Sequence, residues 1–179
     1  MNRKVKLLNI ELGKVILVPF ENSMAEKYYE WMQNPDLLEA TSTDQMTLEE
    51  VRNIFFMYQT DPNKYAYMIC DRNLFSSENP SLSMIGDVNL FVNESLEGEL
   101  NIMIANENYR KQGIASEVIR CMISLCSGAF FLSKLIAKIS ESNQASQRLF
   151  KKLGFSEYCH DTDFHQVHYC YMLSNAIIF

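Results

Sequence analysis

The stretch Tyr109–Ile119, YRKQGIASEVI, places two cations and one glycine directly before an amphipathic helix. A helix N-terminus leaves backbone N–H groups without partners and carries a partial positive charge, and together these features bind an anion. Gly113 allows an oxygen to approach the main chain closely, and Arg110 and Lys111 add positive charge just upstream. The stretch therefore predicts a phosphate-binding turn, although it contains neither a GxxxxGK[ST] nor a GxGxxG pattern.

The composition indicates one globular domain over residues 1–179, because 47% of the residues are hydrophobic. The net charge of -6 argues against nucleic acid as a partner, since phosphate binding needs a basic face. No apolar run reaches the length of a membrane span, so no membrane partner is expected. The five cysteines show no CxxC spacing and no secretory signal opens the chain, which predicts a cytoplasmic protein.

Hydrophobic periodicity and turn residues predict eleven elements in the order β-α-α-β-β-β-α-β-α-β-β, an α+β fold with a mixed sheet and helices on both faces. A capping box at 47–50 opens the second helix, and a polar loop at 33–46 is expected before it. The later elements are strands at 64–70, 84–92, 98–105 and 133–139, helices at 114–127 and 143–153, and a final antiparallel pair.

The predicted hairpin of 84–92 and 98–105 carries four polar residues in alternation with apolar ones. Asp87 and Asn89 lie on one face of the first strand, and Glu99 and Asn101 lie on one face of the second. If the register matches polar to polar, the four side chains gather on one surface. This surface is either a solvated sheet face or the floor of a polar cleft.

Two motifs in this order resemble the GCN5-related N-acetyltransferase (GNAT) family. YRKQGIA (109–115) is similar to the family's [Q/R]-x-x-G-x-[G/A] acetyl-CoA motif, and ISESNQASQRLFKKLGF (139–155) is similar to the segment that follows it. The opening KVILVPF and YYEWMQNPDLLE resemble the RimJ/RimL-like branch, and GDVNLFV with GELNIMIA resembles the eukaryotic N-acetyltransferase nine-like subgroup. The resemblance covers about residues 12–173 and implies the GNAT fold, with a mixed, mainly antiparallel central sheet.

The resemblance implies that acetyl-CoA is the co-substrate, held by three groups of residues. The backbone of Met103, Ile104 and Ala105 would pair with the pantetheine arm beside strand 133–139. The pyrophosphate would be held by the Arg110 side chain and by the amides of Lys111, Gln112, Gly113, Ile114, Ala115 and Ser116. Asn143 would bond the end of the pantetheine, and Ser146 would approach the cofactor.

Transfer of an acetyl group to an amine requires that the amine lose a proton. Glu99 is the first candidate for the base, because related enzymes often carry a glutamate in this strand, and Asp87 is the second. The alternative for each is an exposed strand carboxylate without a catalytic role. Many relatives have a tyrosine as general acid where this chain has Phe150. Solvent is one substitute, and three tyrosines near the end of the chain are others: Tyr158, Tyr169 and Tyr171.

The expected function is transfer of acetyl from acetyl-CoA to a primary amine, with the N-terminal α-amine of a protein or peptide as the favoured acceptor. Two alternatives stay open. One is acetylation of a small amine such as a polyamine or an amino sugar, and the other is a weakly catalytic or non-enzymatic acetyl-CoA-binding or cytoskeletal module. No metal is expected, because His165 and His168 fall on opposite faces of a strand and no further ligands complete a set with His160.

Overall fold

The computed structural model describes residues 6–173. Its strands are β1 (Ile10–Glu11), β2 (Val15–Pro19), β3 (Lys64–Asp71), β4 (Met84–Val92), β5 (Glu97–Ile104), β6 (Lys134–Ser140), β7 (Ser156–Asp161) and β8 (Gln166–Met172). Its α-helices are α1 (Ala25–Trp31), α2 (Pro35–Thr41), α3 (Leu48–Thr60), α4 (Ile114–Gly128) and α5 (Gln144–Lys152).

The strands form one sheet in the order β1-β2-β3-β4-β5-β6-β8-β7. Antiparallel pairs join β1 to β2, β2 to β3, β6 to β8 and β7 to β8, whereas β5 and β6 are parallel. The α4 crossover between β5 and β6 supplies the long connection that a parallel pair needs. The predicted α+β fold with a mixed, mainly antiparallel sheet is therefore confirmed.

Internal contacts group the described residues into two compact units, one of 6–89 with 102–114 and one of 90–101 with 115–173. In the first unit, Val15–Val18 of β2 are buried, and the β2–β3 register places Leu17 opposite Ile69. Helix α3 begins at the predicted capping box, in which the Thr47 hydroxyl accepts from the Glu50 N–H at 3.2 Å. That residues 1–179 form a single domain stays a prediction.

The second unit has the alternation expected of a sheet with one buried face. Leu135, Ala137 and Ile139 of β6 are buried, while Lys138 between them is exposed. Helix α5 begins where predicted, because the Asn143 side chain accepts from the Ser146 N–H at 3.1 Å.

One predicted segment is wrong. The polar loop expected at 33–46 contains the helix α2, whose N-cap Asn34 accepts from the Asp36 N–H at 2.9 Å. Pro35 follows at the first helical position, where its missing N–H costs nothing. Asn34 and Pro35 therefore end α1 and also begin the next helix, and the buried Leu37 attaches that helix to the core.

Candidate active site

The predicted phosphate-binding turn is an exposed bend at the start of α4. Residues 110–113 are all exposed, and the backbone reverses through positive φ angles of 58° at Lys111 and 84° at Gly113. A Cβ atom at Gly113 would meet nothing within 4 Å, so space does not require glycine here. The positive φ angle does favour it. Within residues 6–173, the N–H groups of Lys111, Gln112 and Gly113 donate to no acceptor of the chain. The turn therefore offers a row of amides to an anion.

Three side-chain hydrogen bonds fix this turn to the rest of its unit. The Tyr109 hydroxyl donates to Asp71 Oδ2 at 2.7 Å, and this bond is the main reason that the pKa of Asp71 is lowered. Gln112 Nε2 donates to the Asn108 carbonyl at 2.6 Å, and Lys14 Nζ donates to Gln112 Oε1 at 3.3 Å. The turn is thus held by groups that do not use its free amides.

The Arg110 guanidinium binds the end of β5. Its Nε donates to the Ile104 carbonyl at 3.0 Å and its Nη2 to the Ala105 carbonyl at 3.4 Å, while Nη1 pairs with Glu107 Oε1 at 3.0 Å. Arg110 therefore fixes the strand end whose backbone is expected to meet the pantetheine. Its role toward a pyrophosphate stays a prediction.

The backbones of β4 and β5 approach closely at this end of the sheet. A Cβ atom at Gly86 would lie 2.1 Å from the Met103 carbonyl oxygen, and the Asn106 N–H donates to the Ile85 carbonyl at 3.0 Å. Only glycine fits at position 86, because a backbone oxygen cannot move aside as a flexible side chain can.

Asp87 is a buried carboxyl group without a cationic partner among the described residues. It is 2% exposed, and its hydrogen bond comes from Asn89 Nδ2 at 3.1 Å. Burial raises the pKa of Asp87 to about 7, and the bond from Asn89 offsets part of this effect. Asp87 is therefore not the solvated strand carboxylate that was one alternative, and it changes charge near neutral pH.

The charge of Asp87 contributes to a raised pKa of Tyr28 in α1. Its pKa is raised well above the usual value, first by burial and then by the Asp87 charge. Its ring packs 5.9 Å from that of Phe20, 5.9 Å from that of Trp31 and 5.6 Å from that of Phe55. No signal in the sequence linked Tyr28 to Asp87.

Glu99, in the other unit, has a different environment. Lys138 Nζ binds Glu99 Oε2 at 2.7 Å, and Asn101 Nδ2 donates to Glu99 Oε1 at 3.4 Å. Both carboxylate oxygens are thus engaged. The sequence predicted no partner for Glu99, although Lys138 shares with Ile136 the face of β6 opposite its buried residues. That Asp87, Asn89, Glu99 and Asn101 gather on one surface stays a prediction.

The parallel pairing that joins β5 to β6 is short. It covers Glu97–Glu99 on β5 and Lys134–Ile136 on β6, although each strand continues beyond this stretch.

The predicted cofactor residues that follow β5 occupy the start of α4, where Ile114 is buried and Ala115 and Ser116 are half-buried. Ser146 is half-buried in the first turn of α5.

The position expected for a general acid holds no proton donor. Phe150 is 2% exposed and its ring packs edge-on against Phe155 at 4.9 Å. Tyr169 is fully buried and donates to Gln147 Oε1 at 3.3 Å, which is typical of a packing residue with a satisfied hydroxyl. Tyr171 packs 5.2 Å from Phe155.

Neither a metal-binding cluster nor a membrane-spanning helix is found in residues 6–173. In that part of the chain, no three side chains of His, Cys, Asp or Glu are arranged to hold a metal ion. None of its helices has the length and hydropathy needed to cross a membrane.

Comparison with known sequences identifies the family. The model of the acetyltransferase (GNAT) domain matches residues 14–156. The N-acetyltransferase 9-like protein of Dictyostelium discoideum is 36% identical over 172 residues, which cover 86% of this chain and 80% of that protein. The α/β-tubulin N-acetyltransferase 9 of Homo sapiens is 30% identical over 161 residues, which cover 86% of this chain and 78% of the human protein.

Solved structures share the fold at low sequence identity. The spermidine N-acetyltransferase of Vibrio cholerae, crystallised with CoA and spermine, superposes with a TM-score of 0.76 and 16% identity, over 90% of this chain and 97% of that one. A domain from Methanocaldococcus jannaschii gives a TM-score of 0.72 with 21% identity, over 89% and 99% of the two chains. This chain therefore belongs to the GNAT acetyltransferase family and is an acetyl-CoA-dependent N-acetyltransferase.

Proposed function

We propose that the acceptor is the N-terminal α-amine of a protein or peptide and that Asp87 is the base that deprotonates it. The acceptor class is supported by relatives named for tubulin acetylation, at 30% identity for the human protein. Asp87 carries the mechanistic part of the proposal because its pKa of about 7 lies close to that of an α-amino group. The five cysteines are free thiols, which supports a reducing compartment such as the cytoplasm.

The environments of the two candidate carboxylates favour Asp87 over Glu99. A base must have a lone pair available for the incoming proton, and no cation within residues 6–173 competes for that of Asp87. Glu99 would first have to release the Lys138 ammonium that binds it at 2.7 Å. Glu99 is the alternative base, and it can accept a proton only when its ion pair with Lys138 separates.

The residues of the exposed turn fit the pyrophosphate of acetyl-CoA. The free amides of Lys111, Gln112 and Gly113 would bind the phosphate oxygens. By resemblance, the amides of 114–116 would extend this contact, Met103–Ala105 would bind the pantetheine arm, and Asn143 and Ser146 would bind its end. When bound, acetyl-CoA supplies the acetyl group as a thioester.

In the proposed reaction, Asp87 accepts one proton from the acceptor ammonium and passes it to solvent. The freed nitrogen lone pair attacks the thioester carbonyl carbon, so that a C–N bond forms and the C–S bond breaks. The nitrogen loses a second proton, and the departing thiolate gains one. Because Phe150 cannot donate, this last proton comes from water.

The test is release of free CoA thiol with three acceptors: a peptide with a free N-terminus, the same peptide with a blocked N-terminus and an internal lysine, and spermidine. Asp87→Asn and Glu99→Gln are compared with the wild type, and Glu94→Gln, an exposed acid on the β4–β5 turn, is the control. We expect turnover of the free N-terminus and a fall of about 10²- to 10⁴-fold in kcat for Asp87→Asn.

Other results would change the assignment. A loss confined to Glu99→Gln would make Glu99 the base. Preference for the internal lysine or for spermidine would contradict the acceptor class. If acetyl-CoA raises the melting temperature but no amine releases thiol, a binding module replaces the enzyme.

A further inference from the structure

Strands β5 and β6 pair over a short stretch and then stop pairing. Among the described residues of these two strands, the last register pair is Glu99 with Ile136. Strand β5 nevertheless continues to Ile104 and β6 continues to Ser140. A gap in the pairing therefore begins beyond Glu99, and its closed end lies at Glu99 and Ile136.

Two side chains from beyond the paired stretch converge on Glu99. Lys138 follows the register partner Ile136 by two positions, about 7 Å along β6, yet its Nζ binds Glu99 Oε2 at 2.7 Å. Asn101 lies two positions beyond Glu99 on β5, and its Nδ2 donates to Glu99 Oε1 at 3.4 Å. The Lys138 side chain therefore leans back along β6, which places its ammonium group at the closed end of the gap.

The Lys138 ammonium group can bind a further acceptor. An ammonium carries three N–H donors, and within residues 6–173 its partner is Glu99 alone. The side chain of Lys138 is 40% exposed and that of Glu99 is 30% exposed, and an ion pair in such surroundings contributes little to stability. Lys138 can therefore turn toward an anion in the gap at a small cost in folding free energy.

The strand on the other side of β6 does not bring a second carboxylate against Lys138. Its residue opposite Lys138 in the register is His168 of β8. The His168 Nε2 lies 4.0 Å from Asp161 Oδ2, and Asp161 belongs to β7, one strand further away. An anion that approaches the Lys138 ammonium therefore competes with the carboxylate of Glu99.

We propose that Lys138 is a catalytic residue that stabilises the thiolate of CoA as it departs. This inference rests on the proposed function, which assigns the pyrophosphate to the turn at 111–113 and the pantetheine arm to Met103–Ala105. An arm that runs from that turn back along β5 brings its thioester end toward the closed end of the gap, where Glu99 and Lys138 meet.

The proposed step changes which charge faces the ammonium group. When the amine nitrogen bonds to the thioester carbon, the C–S bond breaks and its electron pair stays on sulfur. The Lys138 ammonium donates a hydrogen bond to this thiolate and keeps its own proton, because an amine holds a proton more tightly than a thiolate does. Water then protonates the sulfur. Lys138 thus supplies positive charge where Phe150 offers no proton donor.

The first arm of the test measures binding alone, with CoA and with desulfo-CoA, which lacks the sulfur atom. At pH 9 most of a thiol whose pKa is about 8.5 is ionised. In calorimetric titrations at this pH, we expect the wild type to bind CoA about tenfold more tightly than desulfo-CoA. Lys138→Gln should bind the two alike, whereas Lys138→Arg should keep most of the preference because it keeps the charge.

Lys134 provides a matched control on the same two strands. Its Nζ binds Glu97 Oε1 at 2.8 Å, but Glu97 and Lys134 are a register pair inside the paired stretch. Lys134 lies four positions from Lys138, about 13 Å along β6. Lys134→Gln should therefore keep the wild-type preference for CoA. An equal loss in Lys134→Gln and Lys138→Gln would show that only net charge matters, and the inference would be wrong.

Substitution of Glu99 should have the opposite effect on binding. Glu99→Gln removes the anion that competes for Lys138, so the preference for CoA over desulfo-CoA at pH 9 should rise about threefold. The double variant Glu99→Gln, Lys138→Gln should have no preference. A preference that survives in the double variant would place the thiolate at another cation and overturn the assignment.

The second arm measures release of free CoA thiol with the peptide that has a free N-terminus. For Lys138→Gln we expect kcat to fall about 10- to 100-fold, with KM for the peptide within about twofold of the wild type. Lys138→Arg should restore most of the loss, and Lys134→Gln should match the wild type. An unchanged kcat in Lys138→Gln would contradict a catalytic role even if the preference for CoA were lost.

The two arms separate this inference from the proposed function. Equal affinity of the wild type for CoA and desulfo-CoA at pH 9 would overturn the inference and leave the acceptor class and Asp87 untouched. If neither compound binds, the proposed cofactor site fails and the inference fails with it. If CoA is preferred through Lys138 but no amine is acetylated, the thiolate contact is supported, whereas the proposed function and the catalytic role both fail.

Discussion

Replacement of Asp87 by Asn should stabilise the protein at high pH and inactivate it at the same time. In the folded protein the pKa of Asp87 is about 7, whereas in the unfolded chain it has the ordinary value of 3.8. The folded state therefore binds more protons than the unfolded state between these values, so that the free energy of unfolding falls as the pH rises through this window. Asparagine has the same shape and does not ionise.

The size of the effect follows from the two pKa values. The raised pKa of Asp87 costs about 4 kcal/mol of folding free energy well above pH 7 and about 2 kcal/mol at pH 5. The difference in the free energy of unfolding between Asp87→Asn and the wild type should therefore grow by about 2 to 3 kcal/mol from pH 5 to pH 8. Constant effects of the substitution, such as a changed bond to Asn89, cancel in this comparison.

Urea unfolding followed by fluorescence measures this difference, because Trp31 is the chain's one tryptophan and is largely buried. The wild type, Asp87→Asn and the exposed control Glu94→Gln are measured at pH 5, 6, 7 and 8. Glu94→Gln should follow the wild type at every pH, since exposed substitutions change stability little. Parallel curves for the wild type and Asp87→Asn would refute the argument that burial keeps Asp87 protonated near neutral pH.

Two pairs of substitutions test the backbone contacts of Gly86 and Asn143. Gly86→Ala should destabilise the protein by at least about 3 kcal/mol, because its Cβ would lie 2.1 Å from the Met103 carbonyl oxygen. Gly128→Ala is the control: its Cβ would meet nothing within 4 Å, so stability should change by less than about 1 kcal/mol. Denaturant titrations measure both effects. Asn143→Ala should cost about 1 kcal/mol by removing the cap of α5, and Asn143→Ser should restore most of it in thermal denaturation. Equal effects within either pair would contradict the corresponding explanation.

Local sequence rules predicted much of the fold because the signals act over a few residues. The capping box at Thr47 and the cap at Asn143 each satisfy backbone groups within one turn, so their positions are readable without tertiary contacts. Asn34 and Pro35 carry an equally local signal, but an Asn-Pro pair can mark either the end of one helix or the start of the next. Here it does both. The helix α2 was missed for that reason.

The sequence by itself determined most of the element order, without β1 and α2, and also the mixed sheet and the turn before α4. Hydrophobic period, caps and a turn glycine are properties of neighbouring residues. Only the tertiary structure distinguished the environments of the two carboxylates that are candidates for the base. Alternation along a strand places Asp87 and Glu99 on polar faces alike. Burial then removes water from Asp87, and Lys138 of another strand binds Glu99. Desolvation and pairing depend on groups far apart in sequence, and these set the chemistry of each carboxylate.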